Sequence, residues 1–416
     1  MYLTGFLSGR GRNPLVNPCI MAASDSNGAS GMTVGVPKET APAERRVALT
    51  PEGAKALASQ GFSVLIESGA GEGSLYSDRE YEEAGAKICP GPGELYSQAD
   101  IILKVVGPED GHPDSDVQRL REGSGLIALM FPHANVDTAG ALAKRNITSF
   151  AMDLMPRITR AQTMDAISSM STIAGYRAAL LAASALPKFF PMLMTAAGTL
   201  APARVLVIGA GVAGLQAIAT CRKLGAIVEA FDVRPAVKEQ VQSLGAKFVD
   251  LGLSGEEAED AGGYAKEVSG TTHSKELEII ASRLPKCDVV ITTALIPGKH
   301  APVLITKEMV KLMARGSVIV DLAAVNGGNC EATKPGETTQ FEGVKIIAPL
   351  DLPSEMAVHA SKMYSKNITE LLLHLVKDGK LALDMDDEIT HGTLVTHDGR
   401  IMHEPTRLKY ERTKQS

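Results

Sequence analysis

Three glycines, Gly209, Gly211 and Gly214, form the motif GAGVAG between a predicted strand, ARVLVI, and a predicted helix that begins near Val212. The first glycine permits a tight turn, the second lets a pyrophosphate approach the backbone, and the third lets the helix and strand pack closely. The amides and positive dipole end of the helix N-terminus would face the phosphates. The motif therefore predicts a dinucleotide-binding site.

Asp232 ends the next predicted strand, 18 residues after Gly214. A carboxylate at this position accepts hydrogen bonds from the adenosine ribose hydroxyls and repels a 2′-phosphate, which favours NAD over NADP. Val233 and Arg234 follow in the same loop. Arg234 leaves an alternative open, because its guanidinium would hold a 2′-phosphate.

A second polar segment, RITRAQTMDAISS at residues 157–169, precedes a long apolar helical pattern. We call it the RAQ segment. It contains no histidine or other group that titrates near neutral pH, which indicates positioning of a nicotinamide and its ribose more than acid–base chemistry. The candidate residues for that role are Arg157, Gln162, Asp165 and Ser168. The alternative is that Asp165 and the serines only cap the helix.

Two further segments interrupt the regular pattern. The glycine- and acid-rich stretch 254–270 predicts a mobile loop in which Tyr264 covers a bound cofactor, although an ordinary surface loop fits equally well. The segment TTALIPGK lies at the carboxyl end of the predicted strand CDVVITT, the edge where open α/β sheets bind ligands. Its candidate cofactor contacts are Thr293, Ala294 and Leu295, and Lys299 is the side chain to test there.

The elements that must position these residues alternate between strands and helices from Thr33 onward. Strands such as IILKVV and LIALMF are continuously apolar, which is typical of parallel strands covered on both faces by helices. The pattern predicts an α/β fold with two doubly wound parallel-sheet (Rossmann-like) domains, bridged by long helices, with a cleft between them.

The predicted division has four segments. Residues 1–31 are a flexible N-terminal extension or a targeting leader, residues 32–167 with 357–405 form the first α/β domain, residues 168–356 form the NAD-binding domain, and residues 406–416 are a tail.

Composition excludes several classes of protein. The 416 residues carry 42 Lys plus Arg against 48 Asp plus Glu, a net charge of −6 without a basic block, so nucleic acid is not an expected partner. The five cysteines lack CxxC spacing, so we expect free thiols and no metal site. The apolar stretch 178–219 is broken by prolines, so we expect a soluble protein without a membrane span.

The chain resembles the NAD(H)-binding component of proton-translocating nicotinamide nucleotide transhydrogenases, within the alanine dehydrogenase/transhydrogenase superfamily. The resemblance covers about residues 33–405 and rests on VPKE with ERRVALTPEG, RAQTMDAISSMSTIAGYRA, GAGVAGLQAIATCRKLGA, GGYAKE, TTALIPGK, VDLAA and GGN. It implies a dimer that binds NAD(H) in the cleft and passes hydride directly to NADP(H) held on a separate domain.

The resemblance also implies roles for individual residues. Arg157, Gln162, Asp165 and Ser168 would orient the nicotinamide, with Gln162 nearest the partner nucleotide, while Tyr264 would lie on a mobile loop. Gly209, Gly211, Gly214 and Asp232 would hold the pyrophosphate and adenosine ribose. The implied partners are NADP(H)-binding and membrane-spanning subunits, and the implied place is the surface of an energy-transducing membrane, on the bacterial cytoplasmic side or in the mitochondrial matrix.

Two alternatives remain open. The first is alanine dehydrogenase, which Arg46 and Lys104 match, whereas His133 falls one position beyond the expected histidine and Val325 replaces an aspartate. The second is a non-catalytic NAD sensor. Val325 also departs from the transhydrogenase pattern, which usually has an acid there, as does Glu355, where an arginine usually follows LPS.

Overall fold

A computed structural model describes residues 31–112, 114–250, 270–295 and 300–415. The first of its two large sheets has eight strands in the order β19-β18-β6-β5-β4-β1-β2-β3. The strands are β1 (Thr33–Val36), β2 (Ser63–Glu67), β3 (Lys87–Cys89), β4 (Ile101–Val106), β5 (Gly125–Leu129), β6 (Thr148–Ala151), β18 (Leu394–His397) and β19 (Arg400–Ile401).

The second sheet has seven strands in the order β11-β10-β9-β12-β13-β15-β14. They are β9 (Arg204–Ile208), β10 (Ile227–Phe231), β11 (Lys247–Val249), β12 (Val289–Thr292), β13 (Val318–Asp321), β14 (Thr338–Phe341) and β15 (Val344–Ile347). The chain runs outward from β9 to β11 and then resumes on the other side of β9 with β12. This reversal places a crevice at the carboxyl ends of β9 and β12, where ligands bind in open α/β sheets.

The helices described by the structure are α1 (Pro51–Ser59), α2 (Asp78–Glu83), α3 (Pro92–Gln98), α4 (Asp116–Arg119), α5 (Val136–Lys144), α6 (Ala166–Ala185), α7 (Val212–Lys223), α8 (Lys238–Ser243), α9 (Gly270–Arg283), α10 (Lys307–Val310), α11 (Leu352–Glu355), α12 (Ala357–Leu375), α13 (Glu388–Thr393) and α14 (Glu404–Gln415). Among these described helices, none is long and apolar enough to cross a membrane.

The predicted fold class is confirmed. Strands β1 to β6 pair in parallel, as do β9 to β13 and β15, and every residue of β5 is buried. Because parallel strands need crossover helices on the sheet faces, their side chains are apolar on both sides, which is the pattern that the sequence carries. Among the described strands of the two sheets, antiparallel pairing is confined to β14, β18 and β19 with their neighbours.

Helix α6 connects the two cores. Near its start, Met170 and Ile173 pack with the core of the first sheet, and beyond Gly175, Ala178 and Ala182 pack with the core of the second. Helices α11 and α12 return the chain in the opposite direction, from the second core into the first. The domain boundaries stay a prediction, because α6 runs through the one placed at 167/168 and contributes to both cores.

Several short strands escaped sequence analysis. Strands β18 and β19 close one edge of the first sheet, where β18 pairs antiparallel with β6. A separate hairpin, β7 (Leu193–Thr195) and β8 (Gly198–Leu200), forms a small sheet of its own before β9, as do β16 (Val376–Lys377) and β17 (Lys380–Leu381) after α12. Strands this short carry too few residues for a recognisable alternation.

Candidate functional site

The glycine motif forms a cradle between β9 and α7. Gly209 adopts φ = 93°, a left-handed conformation that favours glycine, and a Cβ on Gly214 would lie 1.9 Å from the Gly209 carbonyl oxygen. A Cβ on Gly211 would meet nothing nearer than the Arg234 guanidinium at 3.9 Å. The chain's own packing therefore requires the first and third glycines, while the second leaves open space of the kind a phosphate needs.

The cradle leads into the N-terminus of α7. Gly211 is the N-cap and has no side chain to satisfy the first amides of the helix, and Val212 behind it is exposed. Helix N-terminal amides left in this way bind anions, because hydrogen-bond donors and the positive end of the helix dipole point in the same direction. These residues fit the pyrophosphate of a dinucleotide.

The loop after β12 is fixed against this cradle. The hydroxyl of Thr293 donates to the Gly209 carbonyl oxygen at 2.9 Å. Ala294 donates its amide to Asn329 Oδ1 at 3.0 Å and accepts from Asn329 Nδ2 at 2.9 Å, while Leu295 is partly exposed. Sequence analysis did not single out Asn329, although it stands in the GGN triplet; its fully buried side chain sets the path of this loop.

Asp232 follows β10 and is only 6% exposed. Its carboxylate accepts from the Ala210 amide at 2.7 Å and from the Arg234 amide, Nε and Nη2 at 2.9 Å each. A carboxylate has about four acceptor positions, so all four are used. Ribose hydroxyls would therefore have to replace part of the Arg234 pairing, and Val233 lies half-buried between the two residues.

The RAQ segment runs through a 3-10 helix, Thr159–Met164, into α6. Arg157 and Gln162 are exposed there. Asp165 is the N-cap of α6: its Oδ1 accepts from the Ser168 amide at 2.8 Å and its Oδ2 from the Ser168 hydroxyl at 2.6 Å. The capping interpretation of Asp165 and Ser168 therefore describes their contacts within the chain, and Gln162 keeps its carboxamide on the surface.

Gly175 connects these two regions of the site and was not identified from sequence. A Cβ at this position in α6 would lie 2.0 Å from the Ala213 carbonyl oxygen in the first turn of α7. Asp165 precedes Gly175 by ten residues, which is about 15 Å along a helix. The same helix therefore carries the RAQ segment at its start and presses against the phosphate-facing end of α7.

Several candidates lie elsewhere. Tyr264 and Lys299 are outside the described residues, as are residues 1–30, so their predicted roles stay predictions. Val325 is 55% exposed after β13, and Glu355 accepts from Arg177 Nε at 2.8 Å, which ties α11 to α6. The Glu355 departure from the family pattern thus has a partner within the chain.

The described cysteines Cys89, Cys221, Cys287 and Cys330 are free and buried, in agreement with the prediction of free thiols. Burial raises the pKa of Cys221 and Cys287 to about 12 and that of Cys330 to about 11. These three thiols are protonated at neutral pH and are therefore poor nucleophiles.

Comparison with known proteins identifies relatives over almost the entire described chain. Residues 35–174 match the family described as alanine dehydrogenase/PNT, N-terminal domain, and residues 178–404 match its C-terminal domain. The first polypeptide of the divided NAD(P) transhydrogenase subunit alpha of Rhodospirillum rubrum is 49% identical over 89% of this chain and 98% of its own length. Alanine dehydrogenase of Mycolicibacterium smegmatis is 30% identical over 90% and 95%.

Solved structures agree. The transhydrogenase from Sinorhizobium meliloti superposes with a TM-score of 0.79 at 45% identity, covering 89% of this chain and 99% of that one. An L-alanine dehydrogenase, at 23% identity and a TM-score of 0.76 over 92% and 99%, shares the fold.

The contact between α6 and α7 gives a first test. Changing Gly175 to Ala should weaken NADH binding several-fold, because overpacking by about 1–3 kcal/mol displaces the first turn of α7. Gly93→Ala is the matched control, since Gly93 also lies in a helix but a Cβ there meets nothing within 4 Å. Titration of NADH fluorescence measures both, unobscured because the chain has no tryptophan. Equal affinities for the two variants would contradict the role of this contact.

The Asp232–Arg234 pair gives a second test. Asp232→Asn should weaken NADH binding by about 10- to 100-fold, the range expected for lost hydrogen bonds to a charged acceptor, and should strengthen NADPH binding because Arg234 is released. In Asp232→Asn with Arg234→Ala, the gain in NADPH affinity should disappear. Unchanged affinities for both nucleotides in Asp232→Asn would refute the assignment.

Proposed function

The chain belongs to the alanine dehydrogenase/PNT family, and from this membership we propose that it is the NAD(H)-binding subunit of a proton-translocating, Re/Si-specific transhydrogenase. In this proposal it passes hydride directly between NAD(H) and NADP(H), the latter held on a partner domain. The observation that carries the proposal is the RAQ segment, which exposes the Gln162 carboxamide beside a capped helix start without a side chain that titrates near neutral pH. Such a site positions reactants and does not exchange protons with them.

The chain's residues divide the work of positioning. Gly209, Gly211, Gly214 and the start of α7 hold the pyrophosphate, Asp232 and Arg234 hold the adenosine ribose, and Thr293, Ala294 and Leu295 line the crevice between β9 and β12. Arg157, Gln162, Asp165 and Ser168 orient the nicotinamide end, and Tyr264 covers it. The nicotinamide itself supplies or accepts the hydride when bound. Holding two reactants in near-attack geometry can account for about 7–11 kcal/mol of a barrier, so no acid or base is required.

The partners follow from the same proposal. An NADP(H)-binding domain docks where Gln162 is exposed, and a separate membrane-spanning component couples hydride transfer to proton translocation. The chain accordingly works at the surface of an energy-transducing membrane, on the cytoplasmic side in a bacterium or the matrix side in a mitochondrion.

The proposed assembly is a homodimer, and the β7–β8 hairpin supports it. The hairpin and the residues before it expose large apolar side chains, an arrangement typical of interaction surfaces: Phe189, Met192, Met194 and Leu200. Met194→Asp should convert the protein to single chains in sedimentation velocity, because a charge would be buried in the interface. Met385→Asp, at another exposed methionine, should stay dimeric. Sedimentation of the unmodified protein as a single chain would contradict the dimer.

The alanine dehydrogenase alternative has less support from the structure. Lys104 is 2% exposed, and its Nζ lies 3.0 Å from Asp116 Oδ2 and 3.4 Å from Glu39 Oε2. Burial alone would lower the pKa of Lys104, but the two carboxylates hold it above its ordinary value, so Lys104 stays a cation and is not a base. Arg46 Nε donates to Glu44 at 2.8 Å, so both cations are already paired within the chain.

The other two residues of that alternative also differ. The ring of His133 packs edge-on against His403 at 5.0 Å between centroids, and its carbonyl oxygen accepts from Lys409 in α14. These contacts anchor the C-terminal segment to the loop after β5. Val325 cannot accept a proton or a hydrogen bond. The site therefore offers no evident base for the deprotonation of an amino acid.

Hydride transfer tests the proposed function. The purified chain is mixed with a recombinant NADP(H)-binding transhydrogenase domain, NADH and an NADP analogue of distinct absorbance, and a parallel sample receives pyruvate and ammonium instead. We expect turnover only with the partner domain. Gln162→Asn should slow transfer far more than it weakens NADH binding, because its shorter side chain misplaces the carboxamide.

Each contrary result has its own meaning. NADH oxidation with pyruvate and ammonium would identify an alanine dehydrogenase. NADH binding without either reaction would identify a sensor. Equal losses of rate and affinity in Gln162→Asn would make Gln162 a simple binding residue.

A further inference from the structure

The RAQ segment is held from beneath by two buried apolar side chains. Ala161 and Met164 pack in the first core, while Arg160, Gln162 and Thr163 face outward from the same 3-10 helix. Two apolar contacts leave the polar face of so short an element free to rock. The position of the Gln162 carboxamide therefore depends on what restrains that polar face.

One restraint comes from α12. Asn367, which is buried, donates Nδ2 to the Thr163 carbonyl oxygen at 2.7 Å. His374 lies seven residues further along α12, two helical turns, and so projects from the same face. Its Nε2 hydrogen-bonds to Asp387 Oδ1 at 2.9 Å.

Asp387 supplies the second restraint. Its Oδ2 accepts from Arg160 Nη2 at 2.9 Å, across 227 residues of sequence, while Oδ1 accepts from the amides of Ile389 and Thr390 at 3.0 Å and so caps α13. Burial acts against the ionised form, but these amide, arginine and histidine contacts together hold the pKa of Asp387 below its usual range. The carboxylate thus stays charged between α12, α13 and the RAQ segment.

Helix α13 also contacts the chain just before Arg157. A Cβ on Gly392 would lie 3.5 Å from Pro156 Cδ, an ordinary van der Waals distance. The same six-residue helix therefore touches the RAQ segment at its entrance, through Gly392, and near its middle, through Asp387 and Arg160. The exposed Gln162 lies two residues beyond that second contact.

We propose that Asp387 is a positioning residue for hydride transfer, which fixes Gln162 through Arg160 while Asn367 fixes the following carbonyl group. The proposal rests on the proposed function. Arg160 is largely exposed, and exposed ion pairs contribute little to stability, so the pair's effect is on the placement of the segment and not on folding.

Asp387→Asn tests this directly, because asparagine is as good an N-cap as aspartate and keeps α13 intact. We expect the rate of hydride transfer at saturating NADH to fall by about tenfold, less than the roughly 100-fold that a 1 Å misplacement can cost. The dissociation constant for NADH should change by less than about twofold, since the phosphate and ribose contacts are untouched. Arg160→Gln should give the same fall in rate, and the double variant no further fall, because both changes break one path.

The matched control is Asp100→Asn. Asp100 also pairs with an arginine, Arg121 at 2.7 Å, and also accepts from a backbone amide, that of Thr33 at 2.8 Å, but it lies at the amino-terminal end of the first sheet. Its rate should be unchanged. Hydrogen–deuterium exchange of residues 157–164 should accelerate in Asp387→Asn and not in Asp100→Asn.

The outcomes separate this inference from the proposed function. An active wild-type enzyme whose Asp387→Asn variant keeps both its rate and its exchange pattern would overturn the positioning role and leave the function standing. Equal losses of rate and NADH affinity would also overturn it. Faster exchange at residues 157–164 in a protein that does not transfer hydride would refute the function and support the restraint.

Discussion

The close contact between α6 and α7 is the constraint on which the rest of the site depends. Only a glycine at position 175 allows the two helices to approach until the Ala213 carbonyl oxygen occupies the space of a side chain. Because α6 also begins at Asp165 and contributes to both cores, this contact relates the RAQ segment to the glycine cradle through one continuous helix. A displacement at Gly175 would move both ends of the proposed nucleotide site relative to each other.

Charge in this protein is paired within the chain before any ligand arrives. Asp232 uses all its acceptor positions on Ala210 and Arg234, and Lys104 lies between Glu39 and Asp116. Nucleotide selection therefore depends on exchange of partners at Asp232, in which ribose hydroxyls compete with a guanidinium. A carboxylate that was free to repel a 2′-phosphate would be a simpler discriminator, but it would also be a buried charge without a partner, which is costly.

Local pattern was sufficient for the fold class and for the glycine cradle. Continuous apolar runs such as IILKVV identify buried parallel strands, and GAGVAG stands between a strand and a helix as the motif requires. For Asp165 the two interpretations, capping and ligand binding, use the same residue types and could not be separated. Gly175, Asn329 and Asp387 were missed because their roles depend on partners 35 to 227 residues away, which periodicity does not report.

Transfer of a labelled hydride tests the central claim most directly. NADH carrying deuterium at the transferred position is mixed with the chain and the NADP(H)-binding partner domain in ordinary water, and the reduced product is analysed by mass spectrometry. A site that only positions two nicotinamides predicts deuterium in the product at the full enrichment of the donor. Product without deuterium would mean that the hydrogen passes through an exchangeable group, and would contradict direct transfer.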